Sequence, residues 1–317
     1  MDEPVASRLG NELFRFRFGT DLSGEVDDNI FRLHIDAIGA PVPDEIWLTN
    51  SAVSTGKAGA FTVAECADYL AMHVEVSLDP ATNFKDLTTQ IYRELLRLAQ
   101  ERGYPNLIRT WNYFPGINTG DDDLELYRQF TSGRAVAFDE FAYQGEAFPA
   151  ATAIGTDEGT PFTISALATR DRCWMIENPR QTSAYQYPRE FGLVSPSFSR
   201  AVVVDSVSGC RILMSGTASI VGHQSMHLDD PVQQTTETLR NLEELIQQAR
   251  LETQAHNASG QALTDGYWRI YVRWPDQVPD IERVLRDYLI DNPSLVFLRG
   301  DICRRELLLE IEASGGI

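Results

Sequence analysis

A strand–helix–strand–helix–strand pattern runs through this chain twice. Apolar segments at 69–77 and 211–220 read as strands, and each precedes an amphipathic helix. In the first helix, TQIYRELLRLA at 89–99, Ile91, Leu95, Leu98 and Ala99 fall on one face. In the second, TETLRNLEELI at 236–246, Leu239, Leu242, Leu245 and Ile246 do so, with Ala249 one turn on. The sequel also matches: strands at 106–113 and 267–274, helices at 123–130 and 280–290, β-rich ends at 162–169 and 295–313. The offset is about 145 to 165 residues, the size of one domain. The pattern predicts an α+β chain of two similar units, each with helices packed on one face of a mixed sheet. Residues 170–196, rich in Asn, Pro, Arg and Tyr, read as the connection, and such junctions hold ligand sites.

The 317 residues are 43% hydrophobic and 23% charged, the balance of a globular protein. Apolar runs stay far below the roughly eighteen residues of a membrane-spanning helix. The start, MDEPVASRLGNELFRF, lacks the apolar core and small-residue cleavage site of a Sec signal. Cys66, Cys173, Cys210 and Cys303 lie far apart with no CxxC. Neither a disulfide framework nor a structural zinc site is expected, and a cytoplasmic location fits. Net charge is −19, which opposes nucleic acid and anionic lipid as partners. A small anionic substrate needs only a few well-placed cations. Lys57 and Lys85 are the only lysines among 27 basic residues; the rest are arginine. Schiff-base chemistry therefore has two candidates, whereas planar guanidinium recognition of carboxylates has many.

Motifs for cofactors are missing. No GxGxxG, P-loop or GxSxG occurs. His223 and His227, with Asp229, have the i, i+4 spacing of a zinc pair. However, Gly222 and Pro231 bracket them, and no HExxH glutamate is present, so local hydrogen bonding is the expected role and no metal is predicted. His34, His73 and His256 are scattered. The C-terminal run DICRRELLLEIEA at 301–313 is more informative. On a strand, Leu308, Glu310 and Glu312 share one face. That face is either solvent, with ordinary carboxylates, or a cleft, where desolvation would raise the pKa of Glu310. Alternation alone leaves both readings open.

Three blocks together resemble the chorismatase family: IRTWNYFPGIN at 108–118 with YRQFTSGRAVAF at 127–138; SPSFSRA at 195–201 running into MSGTASIVGH at 214–223; and the segment 303–313. The second half also resembles the reactive-intermediate deaminase A fold, a chorismate mutase-like α+β unit. The resemblance implies an N-terminal degenerate unit over 1–182, a C-terminal unit over 183–317, and an active site between them. It implies chorismate as substrate, release of pyruvate, and no cofactor. Glu310 matches the family's acid. Arg134, Arg200 and Arg189 are assigned to the substrate carboxylates, with Tyr187 as a hydroxyl donor beside them. Gly216 and Cys303 match the branch that makes 3-hydroxybenzoate, Gly216 leaving room for the substrate ring and Cys303 steering an epoxide oxygen. The runner-up readings are a chorismate hydrolase giving a dihydroxycyclohexadiene carboxylate, a non-catalytic metabolite-binding protein, and an imine deaminase. A duplicated unit supplies internally what single-unit relatives obtain from subunit contacts, so a monomer is expected.

Overall fold

Three sheets surround one apolar centre in the computed structural model, which describes residues 10–20, 22, 27–39, 42–79, 81–206, 209–254, 263, 266–289 and 294–317. A three-stranded sheet joins β1 (Asn11–Phe18), β2 (Ile30–Leu33) and β3 (Glu45–Thr49) in the order β2-β1-β3. The repeat in the sequence did not point to it, because it lies before both copies.

The first large unit contains β4 (Ser54–Ala58), β5 (Phe61–Glu65), β6 (Tyr69–Val76), α1 (Phe84–Glu101), β7 (Asn106–Pro115), α2 (Leu126–Glu140), β8 (Ala150–Thr156) and β9 (Phe162–Thr169). The second contains β10 (Cys173–Ile176), β11 (Ala201–Ser206), β12 (Gly209–Met214), a small hairpin of β13 (Ile220–Val221) and β14 (Gln224–Ser225), α3 (Pro231–Thr253), β15 (Tyr267–Val272), α4 (Val278–Tyr288), β16 (Ser294–Arg299) and β17 (Leu309–Gly316). The sheet orders are β4-β5-β6-β9-β7-β8 and β10-β11-β12-β17-β15-β16. Counted within each unit with the β13–β14 hairpin left out, the two orders are identical. Each sheet is mixed: β7–β8 and β15–β16 are parallel, joined by the crossover helices α2 and α4. The repeated pattern in the sequence is thus a repeated topology. The division near residue 182 falls inside the second sheet, since β10 precedes it and pairs with β11. The expected helix at 280–290 is α4; its end at Ile290, like His256, lies outside the described residues.

Side-chain alternation decides which face meets which layer. Along β6, Leu70, Met72 and Val74 pack under Tyr92 and Leu95 of α1, while Ala71 points to the opposite, central core. Asn83 caps α1 by accepting from the Asp86 N–H, and Asp230 caps α3 by accepting from Gln233. The sheet faces free of helices meet each other and the small sheet. Trp111, Tyr113, Val202, Tyr271 and Leu298 join Phe14, Phe16 and Phe31 there. Tyr113 and Tyr271, on matching strands of the two units, place their hydroxyls 2.7 Å apart. Glycine at 133 lets α2 approach α1, because a Cβ there would collide with Lys85 O and the Thr88 side chain. Instead the Gly133 carbonyl accepts a bond from Thr89 Oγ1 at 3.0 Å.

Candidate active site

The seam between the units runs along β8. Ala151 N–H donates to Ser215 Oγ at 2.8 Å, and Gly216 N–H donates to Thr152 Oγ1 at 3.1 Å. Next to this seam lies a cavity of about 320 Å³. Tyr127 and Arg134 of α2 and Ala151–Ala153 of β8 wall it from the first unit; Tyr187, Phe198, Arg200, Gly216, Cys303, Arg304 and Glu310 wall it from the second. Six of the seven residues singled out from sequence therefore converge. Arg189 does not: it is exposed and paired with Asp123 at 2.6 Å, outside the cavity wall. It sits in a short surface turn, Arg189–Phe191, so the structure does not bring it to the cavity with the others.

Glu310 lies on β17 opposite Tyr271 of β15. Its neighbour Ile311 is pinned by reciprocal bonds with Thr217, at 2.8 and 2.9 Å. The Glu310 side chain is 5% exposed, and among the described residues no hydrogen bond engages its carboxyl. Burial first, then the charge of Glu312, pushes its pKa up to about 8, against opposing pulls from Arg109 and Arg200. It is therefore a neutral acid at pH 7. Of the two readings left open by alternation, the cleft is the one realised, and both Glu310 and Glu312 are buried.

Gly216 lines the cavity. A methyl group built there would overlap Glu310 Oε1. The missing side chain makes room for the acid itself. Burial, together with the adjacent Glu310, pushes the Cys303 thiol up to about 12, so it remains a thiol and a weak donor.

Three guanidinium groups reach the cavity with a buried nitrogen unpartnered and no ion pair among the described residues. Arg134 is 2% exposed, lies 4.9 Å over the Phe130 ring, and leaves Nε and Nη1 without partners. Arg200 donates from Nη2 to Thr182 O (2.7 Å) and to Tyr187 Oη (2.9 Å), while its Nε is unpartnered. Arg304 donates from Nη1 to His223 O at 2.8 Å and stacks 4.0 Å over Phe191, while its Nη2 is unpartnered. Buried donors without acceptors are costly, and an anion entering the cavity would satisfy them. Arg304 was missed from sequence although it adjoins Cys303, because it lies in a turn where alternation carries no information. Thr152 and Tyr127 carried no signal of their own. His223 and His227 belong to the β13–β14 hairpin region rather than a helix, and His227 Nε2 faces Glu237 at 3.4 Å.

Residues 45–168 match the family model described as chorismatase FkbO/Hyg5-like, N-terminal. A 3-hydroxybenzoate synthase from Streptomyces hygroscopicus is 34% identical over 276 residues, 84% of this chain and 80% of that protein. The chain belongs to the chorismatase family. A protein from the same organism named simply a chorismatase is equally similar, 34% over 271 residues, with 84% of this chain and 78% of its own length covered. A chorismatase crystal structure superposes with a TM-score of 0.87 at 31% identity, over 99% of this chain and 96% of the other. In this chorismatase-family chain, then, one neutral carboxylic acid faces three unpaired cations across a cavity built by both units. Such a site can hold a small polyanion and protonate it.

Proposed function

We propose that this protein converts chorismate to 3-hydroxybenzoate and pyruvate. The observation that carries the reading is the neutral, unbonded carboxyl of Glu310 facing a cavity where Arg134, Arg200 and Arg304 have no anionic partner among the described residues. Chorismate brings two carboxylates, which Arg134, Arg200 and Arg304 are spaced around the cavity to receive through directional guanidinium bonds. Tyr187, already fixed by Arg200, orients its hydroxyl at the same wall.

Chorismate also carries an enolpyruvyl ether on ring C3 and a hydroxyl on C4. Protonation of the ether's terminal methylene by Glu310 gives an oxocarbenium ion and weakens the C3–O bond. This is general acid catalysis, and it needs a donor still protonated at working pH. The C4 oxygen then attacks C3, pyruvate departs with the original ether oxygen, and the hydroxyl proton returns to the Glu310 carboxylate. The arene oxide opens by C4–O cleavage and loses the C3 proton to give the phenol. The two products together contain the atoms of chorismate, so no water is consumed. Cys303, held as a thiol beside Glu310, is the donor assigned to the epoxide oxygen.

The test is the product chromatogram after mixing the protein with chorismate, run also in oxygen-18 water with pyruvate trapped at once as lactate. The expected result is 3-hydroxybenzoate with unlabelled lactate. Label at the former keto oxygen, with a dihydroxycyclohexadiene carboxylate as co-product, means hydrolysis instead. Binding without turnover means a metabolite-binding protein.

A further inference from the structure

Glu312 has no part in the chemistry above, yet it is the most heavily bonded carboxylate in the cavity region. It is 5% exposed. Arg109 Nη2 donates to it at 2.6 Å and Trp111 Nε1 at 3.0 Å, the Thr152 hydroxyl donates as well, and Arg269 Nη1 forms an ion pair with it at 3.1 Å. Guanidinium and indole N–H groups can only donate, so both Glu312 oxygens accept, beside two arginines. The clamp also reaches the cavity wall. Thr152 Oγ1, which donates to Glu312, accepts from Arg109 and from the Gly216 N–H. Gly216 in turn is the residue against which the Glu310 carboxyl lies.

We infer that Glu312 is a positioning residue for the acid: a fixed negative charge, two residues from Glu310 on the same face of β17, that keeps Glu310 in its neutral, proton-donating form. This rests on the reading of Glu310 as the proton donor. The other groups facing Glu310 do not replace that charge. Arg109 on β7, Arg134 on α2, and Arg200 and Arg304 in the loops are cations, which favour ionised Glu310. Tyr127, Tyr271 and Cys303 are neutral, their ionisation pushed upward by burial. Glu125, Glu190 and Glu306 also stand at the cavity wall, but Glu312 is the anion whose charge raises Glu310; of the two arginines that secure it, Arg269 is also paired with Glu45, at 2.6 Å.

The experiment compares the pH dependence of kcat in the wild type, Glu310→Gln and Glu312→Gln. Wild-type kcat should fall as pH rises through about 8, and Glu310→Gln should be inactive at every pH. Glu312→Gln should move the wild-type midpoint down by about one to two pH units, the scale of one charge at this separation. A lower kcat with an unmoved midpoint would make Glu312 merely structural and overturn the inference. A wild type without this limb, or an active Glu310→Gln, would overturn the acid reading instead. Should Glu312→Gln fail to fold, the double variant Glu312→Gln/Arg269→Met removes one charge of each sign and leaves Arg109 facing Glu310. The same downward move is expected there, and its absence has the same meaning. Carbon-13 titration of the Glu310 carboxyl in the unliganded protein gives the midpoint without turnover.

Discussion

Two carboxyl groups on one strand face, Glu310 and Glu312, differ in one respect that decides their chemistry: among the described residues Glu312 has three donors and a further ion pair, and Glu310 has none. A buried acid without donors keeps its proton, so catalysis by Glu310 should be strongest below pH 8. Glu310→Gln should cut pyruvate release at least a hundredfold while chorismate still binds, as read by calorimetry and a lactate-coupled assay. The same shift affects stability. Glu310 is protonated in both folded and unfolded chains below its ordinary value of 4.5, but only in the folded chain up to about 8. Its contribution is therefore lost as pH rises through that window. Glu310→Gln should melt above the wild type at pH 9 and level with it at pH 4. Arg134 makes the complementary case. It lacks any anionic partner, so Arg134→Met should raise KM at least tenfold without lowering the melting temperature. At position 216 an alanine methyl must displace the Glu310 carboxyl, so Gly216→Ala should lower kcat and change the ratio of products on a chromatogram. The sequence carried the pairing of Glu310 with Glu312 through strand alternation. It could not say which layer that face meets, since burial there comes from the other unit's β8.

Elements were legible where periodicity was long. Both amphipathic helices and the strands β6, β7, β9 and β15 stand close to where alternation and spacing put them. The second helix of the first unit was read as ending at 130, before Thr131, Ser132 and Gly133, which are weak helix formers. It instead continues to Glu140, because α1 packs directly on Gly133 and rewards a residue without a side chain. Arg134 depends on that continuation, one residue beyond the crossing. Gly133→Val should push the helices apart at a cost of about 1–3 kcal/mol, typical of overpacking, and should raise KM through Arg134. Thermal melting and steady-state kinetics on the same sample would show both effects. The small sheet was illegible for the opposite reason: its three strands are recruited by the central core, with Phe14, Phe16 and Phe31 buried there, rather than announced by a repeat.

At the scale of the molecule, the sheet faces that lack helices are covered within one chain, by each other and by β1–β3. A single chain is therefore the expected species in sedimentation. A dianionic chorismate analogue at a hundred times its Kd should stabilise that chain by about 2.7 kcal/mol, seen as a raised melting temperature. The matching strand orders have one more consequence. In register, Tyr271 of the second unit faces Glu310, whereas Tyr113 of the first faces Thr163. A pair of identical subunits related by a twofold axis must present the same residues at both of its equivalent clefts. Two copies in one chain lift that constraint: one half carries Glu310, the other Arg109 and Arg134, and calorimetric titration should count a single bound substrate for every polypeptide.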